Sequence, residues 1–213
     1  MPKAWVGCPT RWLGNKSIGV TDGIENMKRR DLLLSACGPF LAGVPSWAAE
    51  PSAELAKVWR RERGVLLIRH AVTEAGTGDP PGFVLGQCPT QRNLSDAGRQ
   101  ASRLMGQWMR AHGFAPDAVL SSQWCRCQDT ARLAFSQFQD WPALNSTFEG
   151  QGDLKAQMQA IKERLQTMPS ERMEVWVTHQ VIMTALVGAY PAMGEGFVVD
   201  RRGRLLARAE ITA

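Results

Sequence analysis

The chain has 213 residues, enough for one domain with appendages, and its hydrophobic content of 44% and charged content of 21% are ordinary for a globular protein. The net charge of +5 is concentrated near the amino terminus, because 19 basic and 17 acidic residues follow position 48. The sequence has no basic stripe interleaved with aromatic residues, which argues against nucleic-acid binding.

Residues 28–48 have the pattern of a signal peptide. A basic KRR at 28–30 precedes an apolar stretch at 32–44 that is too short to cross a bilayer, and a small-x-small cleavage site ends at Ala48. The segment RRDLL at 29–33 resembles a twin-arginine export signal. We therefore expect a periplasmic or secreted protein whose mature form has no transmembrane span. The alternative, an amphipathic helix docked on the domain, is disfavoured because the segment has no polar face.

The residues around Cys37 offer a second interpretation of the same segment. LSAC at 34–37 resembles a lipobox, which would make Cys37 a lipid anchor. Few apolar residues precede Cys37 and the apolar run continues past it, so we favour simple cleavage near Ala48. We expect Met27 to be the true start. The predicted organisation is thus a leader and signal segment at 1–48 and one folded domain at 49–213.

Three cysteines remain in the expected mature chain: Cys88, Cys125 and Cys127. Disulfides persist in the compartments to which exported proteins go, so Cys88 paired with either Cys125 or Cys127 is one expectation. Three reduced, buried cysteines are the alternative. The sequence alone leaves the pairing open.

The mature chain begins with a predicted helix at 51–63 and an apolar strand at 64–70. A long loop follows at 71–93, where the glycines and prolines of 76–82 exclude regular structure. Such loops within a compact domain are usually functional. Ser95 is the predicted cap of a helix that ends near Gly113.

The second half continues the alternation of strands and helices. The predicted strands are at 118–122, 143–148 and 173–179, followed by a hairpin of 197–200 with 205–211. Between them, the segment 123–131 opens a helix that runs to 138, and further helices are predicted at 153–168 and 180–188. This order predicts an α/β fold, a three-layer α/β/α sandwich with a mostly parallel central sheet.

Three of these strands end in residues suited to binding a phosphoryl group. The first ends in Arg69 and His70, the second leads into a segment containing Arg126, and the strand at 173–179 ends in His179. Ligands of open α/β sheets lie beyond the carboxyl ends of the strands. Arginines clamp oxyanions through several donors, and their charge favours the neutral form of a nearby histidine. The pattern predicts phosphoryl chemistry that needs no metal or other cofactor.

Three segments stand out together: LIRHAVT at 67–73, SSQWCRCQDTA at 121–131 and VTH at 177–179. They resemble the Arg-His-Gly signature, the Ser-Ser-x-x-x-Arg-x-x-x-Thr-Ala segment and the second histidine motif of one family, the histidine phosphatase (phosphoglycerate mutase-like) superfamily. The motifs occur in the family's order, and the likeness spans about 64–211. It implies a phosphoglycerate mutase-like fold for the domain at 49–213 and a place among small exported phosphatases.

The resemblance implies a role for each matching residue. His70 would be the nucleophile that becomes phosphohistidine, Arg69 and Arg126 would bind the phosphoryl oxygens, and His179 would hydrogen-bond the same group in the transition state. Ala71 replaces the glycine of the signature, a small change.

Further residues are candidates for the pocket: Thr73, Arg92 and Gln180.

The proton donor is the main departure from the family pattern. The family's usual donor is a glutamate in a Leu-Asn-Glu-type segment, and Ser146 stands at that place here. Glu149 is our candidate for the missing acid. Asp153, Glu74 and Asp79 are other options.

The function implied is hydrolysis of phosphomonoesters. The expected substrates are small phosphorylated molecules, such as a sugar phosphate or a lipopolysaccharide phosphate, or a phosphohistidine protein. A good leaving group such as phosphohistidine needs little help from an acid, so the missing glutamate favours phosphatases over mutases. The alternative from another class is a phosphate-ester binding protein that has lost catalysis together with its acid.

Overall fold

A buried strand at the centre of the sheet, β1, forms from the apolar run at 64–70. The computed structural model describes residues 51–211, and within it β1 covers Gly64–Arg69 with every residue except Arg69 buried. Its neighbour β4, Met173–Thr178, is buried throughout. Strands that are apolar on both faces need helices on both faces.

The sheet has six strands in the order β3–β2–β4–β1–β5–β6. The other four strands are β2 (Ala118–Ser121), β3 (Gln139–Asp140), β5 (Glu195–Val199) and β6 (Leu205–Glu210). The pairs β1–β4, β4–β2 and β2–β3 are parallel, whereas β5 pairs antiparallel with β1 and β6 antiparallel with β5. The sheet is therefore mixed, with its parallel part on one side of β5 and the predicted hairpin at its other end.

Within residues 51–211, five α-helices complete the three layers, which confirms the predicted fold class. They are α1 (Pro51–Glu62), α2 (Asp96–Ala111), α3 (Cys125–Phe135), α4 (Leu154–Thr167) and α5 (Gln180–Val187). Alternate residues of β1 point to opposite faces. Leu66 and Ile68 pack with α1, α2 and α3, whereas Val65 and Leu67 pack with α4 and α5.

Local signals set the helix ends as the sequence predicts. Ser95 Oγ accepts a hydrogen bond from the Gly98 amide at 3.1 Å and caps α2. Asp153 Oδ1 accepts one from the Ala156 amide at 3.0 Å and caps α4. Gly188 ends α5 in the left-handed region, with φ of 77°.

The strand predicted at 143–148 is wrong. A short 3-10 helix, Pro142–Leu144, lies there, and the third strand is the earlier, two-residue β3. Gln157 explains how the segment stays buried without a strand partner, because its Nε2 donates to the carbonyls of Pro142, Ala143 and Asn145. Helix α3 also ends three residues earlier than predicted, where Ser136 adopts a φ of 68°.

The parallel strands bring three chain segments to one edge of the sheet. Arg69 is in register with Thr178, and Ser121 with Val177, so the residues that follow β1, β2 and β4 emerge together. The His70 amide donates to the Thr178 carbonyl at 3.0 Å. His70 and His179 therefore leave neighbouring strands side by side.

A disulfide fastens the long loop to this edge. Cys88, in the short 3-10 helix Cys88–Thr90, is bonded to Cys125, the first residue of α3, and Cys127 is a buried free thiol. This is one of the two pairings that the sequence leaves open. The predicted signal segment, the Met27 start and the Cys37 anchor lie outside the described residues and stay predictions. Within residues 51–211 no helix has both the length and the apolar character needed to cross a bilayer.

The disulfide predicts a redox-dependent stability. It links residues 37 positions apart, and closing a loop of that length in the unfolded chain stabilises the native state by roughly 2–4 kcal/mol. We expect the double variant Cys88→Ser/Cys125→Ser to lose about that amount in urea unfolding. Reducing agent should destabilise the wild type to the same level and leave the double variant unchanged. Equal unfolding midpoints for the oxidised wild type and the variant would contradict the expectation.

Candidate active site

His70 follows β1 directly and is buried, with 3% of its surface exposed. Its Nδ1 lies 2.9 Å from the Ala71 carbonyl oxygen. A carbonyl can only accept, so Nδ1 carries the proton and Nε2 keeps its lone pair. Burial lowers the pKa of His70 to about 3, with the charge of Arg126 as the next cause. The ring is thus neutral and has a defined tautomer, with a lone pair on Nε2.

Hydrogen bonds through Ala71 and Thr130 connect the segment after His70 to α3. The Ala71 amide donates to Thr130 Oγ1 at 3.1 Å, and this hydroxyl donates to the Arg126 carbonyl at 2.8 Å. The backbone of Ala71 lies outside the left-handed region, so the position does not require glycine. The substitution of the signature glycine leaves the geometry intact.

Three arginines are held in the same way around His70. Each donates through Nη1: Arg69 to the Pro191 carbonyl at 2.9 Å, Arg92 to Thr73 Oγ1 at 2.7 Å, and Arg126 to an Asp79 oxygen at 2.8 Å. The Nε of each is buried and has no partner among the described residues.

The shared arrangement leaves one edge of each guanidinium free. In a guanidinium, Nε and Nη2 lie side by side and together can donate to two oxygens of one anion. Buried donors without partners are rare in folded proteins. Three of them around one cavity indicate a site for an oxyanion.

His179 occupies the position opposite His70. The two ring centroids are 5.5 Å apart, and His179 is also buried, with 3% of its surface exposed. Its Nε2 lies 2.8 Å from Ser122 Oγ and 3.4 Å from the Cys127 sulfur. Burial, followed by the charge of Arg126, lowers the pKa of His179 well below its ordinary value. Both histidines are therefore neutral at physiological pH.

These residues enclose a cavity of about 200 Å³. It is lined by Arg69, His70, Thr77, Gly78, Arg92, Arg126, Ser146, Phe148, His179, Gln180 and Val181. Six of the predicted site residues meet here. Sequence reasoning missed Thr77, Gly78, Phe148 and Val181, which lie in irregular segments or next to a motif and carry no chemical signature.

Two predicted residues lie elsewhere. Thr73 does not line the cavity; its hydroxyl accepts the hydrogen bond from Arg92 and so lies behind that side chain. Glu149 is exposed and lies against Gly78 at the cavity edge, so close that a β-carbon on Gly78 would lie 2.9 Å from Glu149 Oε1. Asp79, an alternative acid, is ion-paired with Arg126.

A larger surface cleft of about 830 Å³ lies between the ends of α2 and α3 and the start of β2. None of its lining residues is a histidine, and two of its arginines, Arg164 and Arg172, already pair with the buried Glu174. The chemistry therefore favours the smaller cavity. Within residues 51–211 no His, Cys, Asp and Glu side chains group as metal ligands would.

The comparisons with known proteins agree with this architecture. The family model of the histidine phosphatase superfamily (branch 1) matches residues 65–150. Among solved structures, TTHB049 from Thermus thermophilus is 20% identical with a TM-score of 0.50, and the match covers 68% of this chain and 97% of that one. This likeness shows a shared fold.

Two further structures match with TM-scores of 0.47. One is a putative alpha-ribazole-5'-P phosphatase from Escherichia coli, 18% identical over 70% of this chain and 95% of that one. The other is the protein histidine phosphatase SixA complexed with tungstate, which is 17% identical, and the match covers 69% of this chain and 96% of that one. None of the curated proteins matches the chain significantly.

The depressed pKa of His70 predicts a pH-dependent stability. In the unfolded chain this histidine takes up a proton near pH 6.5, whereas in the folded protein its pKa is about 3. Stability is therefore lost as the pH falls through that window, by about 1.4 kcal/mol per pH unit for this one group. We expect His70→Asn to remove this contribution, so that urea unfolding at pH 7, 6, 5 and 4 shows a shallower loss than in the wild type. Parallel curves would contradict it.

Proposed function

We propose that the chain is a phosphomonoester hydrolase of the histidine phosphatase superfamily, whose family model matches residues 65–150, and that His70 carries the phosphoryl group. The observation that supports this best is the set of unpartnered Nε donors of Arg69, Arg92 and Arg126 around the His70 ring. A phosphoryl group brings the negative oxygens that these donors lack.

The first step is an in-line displacement at phosphorus. His70 Nε2 forms a bond to phosphorus while the bond to the leaving oxygen breaks, and the leaving oxygen takes up a proton. The proton on His70 Nδ1 stays there, hydrogen-bonded to the Ala71 carbonyl oxygen. The arginines neutralise the equatorial oxygens and hold them in place, which is the main source of catalysis in phosphoryl transfer.

The second step returns the enzyme to its starting form. Water attacks the phosphorus of phosphohistidine, the bond to Nε2 breaks, and inorganic phosphate leaves as the water loses a proton. In this proposal the Ser122 hydroxyl donates to Nε2 of His179, so that Nδ1 of the neutral ring carries the proton and donates to the same phosphoryl group. In this proposal both histidines act in their neutral form.

The cavity offers no clear proton donor for the leaving group. None of the residues lining the cavity is acidic, Ser146 replaces the expected glutamate, and Glu149 lies exposed at the edge. A leaving group that needs no proton in the transition state suits this site best. We therefore favour aryl phosphates, or phosphohistidine in a protein, over alkyl esters such as sugar or lipopolysaccharide phosphates.

The proposal predicts that His70→Ala abolishes turnover. With para-nitrophenyl phosphate, loss of the nucleophile should reduce kcat by about 10³-fold or more, whereas His112→Ala, outside the cavity, should stay within about threefold of wild type. Brief exposure to labelled phosphate ester should leave an acid-labile, base-stable phosphate on the wild type only. An active His70→Ala variant would overturn the mechanism.

The same experiment decides the alternative function. A protein that only binds phosphate esters would retain phosphate affinity dependent on Arg69 and Arg126, yet form no phosphoenzyme. That outcome would favour phosphate-ester binding over hydrolysis as the function of the protein.

The lack of an acid predicts a strong preference among substrates. We expect kcat/KM for an aryl phosphate to exceed that for an alkyl phosphate by about 10²-fold or more, the usual contribution of a general acid. Glu149→Gln tests the candidate donor: without a competent acid at the site, it should leave the rates on both esters within about threefold of wild type, whereas a loss of about tenfold or more on the alkyl ester alone would identify Glu149 as the acid. Equal rates on both esters in the wild type would show that a competent acid is present.

A further inference from the structure

We propose that Asp79 is the positioning residue of this site: its carboxylate holds Nη1 of Arg126, which lines the cavity, and so leaves Nε and Nη2 available for an anion. This inference rests on the proposed function, because it assigns a role within the same phosphoryl-binding site. Asp79 lies in the irregular loop at 71–93, and 47 residues separate it from Arg126 in the sequence.

The Asp79 carboxylate receives four hydrogen bonds. Oδ1 accepts from Arg126 Nη1 at 2.8 Å and from the Arg92 amide at 2.9 Å, and Oδ2 accepts from Trp124 Nε1 at 3.0 Å and from Arg126 Nη1 at 3.1 Å. Only 4% of the Asp79 side chain and 5% of that of Arg126 are exposed. The ion pair is therefore shielded from water. A buried pair needs close, hydrogen-bonded geometry to offset its lost hydration, so the relative position of the two side chains is strongly restrained.

The contacts require a carboxylate at this position. Every partner of Asp79 is a donor, so both oxygens must accept. An asparagine would place its NH₂ group against Arg126 together with either Trp124 or Arg92, whichever way the amide is turned. The isosteric amide is thus not a conservative replacement.

Asp79 acts by position and not as the missing acid. Burial raises the pKa of its carboxyl, but the hydrogen bonds from Arg126 and the Arg92 amide outweigh that effect and hold the pKa below its ordinary value. It therefore stays ionised and accepts hydrogen bonds only.

The carboxylate also sets the charge of the site. Among the described residues, Asp79 is the one acidic group that pairs with any of the three arginines, since Arg69 and Arg92 are held by neutral oxygens. Three guanidinium groups and one carboxylate leave two positive charges, which match the nearly dianionic form of a phosphomonoester at neutral pH.

A double-mutant cycle on phosphate affinity tests the proposal. The dissociation constant for inorganic phosphate would be measured by calorimetry on the full chain for the wild type, Asp79→Asn, Arg126→Gln and the double variant. In the wild-type background Asp79→Asn should weaken binding about tenfold or more, because Arg126 loses its orientation. In the Arg126→Gln background the same substitution should tighten binding severalfold, because it removes an unpaired carboxylate beside the anion.

Gln91→Ala is the matched control for simple loosening of the loop. Gln91 Oε1 accepts from the Cys125 amide at 3.0 Å and so joins the same loop to the same helix without touching Arg126. We expect its phosphate affinity to stay within about threefold of wild type. Equal losses in Gln91→Ala and Asp79→Asn, or a loss from Asp79→Asn that persists in the Arg126→Gln background, would reduce Asp79 to a loop anchor and overturn the inference.

Stability decides the outcome if Asp79→Asn does not fold. The double variant should then be more stable in urea than Arg126→Gln alone, because the buried carboxylate without a partner is gone; a less stable double variant would overturn the inference.

Failure of the proposed function has a different signature, in which the wild type binds phosphate and obeys the cycle but neither turns over esters nor forms a phosphoenzyme. Turnover by the wild type with unchanged phosphate affinity in Asp79→Asn would remove the role of Asp79 alone.

Discussion

Three guanidinium groups share the wall of one small buried cavity, and much of the surrounding structure serves to hold them there. Burial and the neighbouring arginines both lower the pKa of Arg69 and of Arg92. Arginine cannot relieve this repulsion by losing a proton. The chain instead restrains each guanidinium through Nη1, on a backbone carbonyl, a threonine hydroxyl or the Asp79 carboxylate. The concentrated positive charge that remains is a property of the protein's own side chains, and an oxyanion would offset it.

The same positive charge determines the state of the histidines. His70 lies beside these cations and is buried, so it cannot take up a proton at neutral pH, and the Ala71 carbonyl fixes which nitrogen carries hydrogen. For His179 the partner is the Ser122 hydroxyl, which also lies 3.2 Å from Asn145 Oδ1. A His70 ring without a proton on Nε2 and a second ring with a restrained orientation both follow from neutral partners that lie just after β1 and β2.

The parts of the fold that follow from local patterns could be predicted from the sequence, and so could the part of the site that depends on them. Apolar runs indicated β1 and β4, cap residues set α2 and α4, and parallel pairing then required His70 and His179 to emerge side by side. The strand predicted at 143–148 failed because Ala143 and Leu144 are buried by docking against Gln157 and β4, a tertiary contact without a periodic signature. Periodicity reports which residues are buried more reliably than how their backbone is paired.

The loop at 71–93 shows where sequence reasoning stops. It has no periodicity, and the contacts that matter join it to distant residues, through Asp79 to Arg126 and through the disulfide between Cys88 and Cys125. The two links meet α3 at adjacent positions, so the loop is fixed where the helix begins. The sheet edge therefore supplies the two neutral rings, and the loop supplies Arg92 and the carboxylate that pairs with Arg126. If the cavity binds a phosphoryl group as we propose, both parts are needed, because rings without oriented guanidinium groups would not hold that group in line with His70.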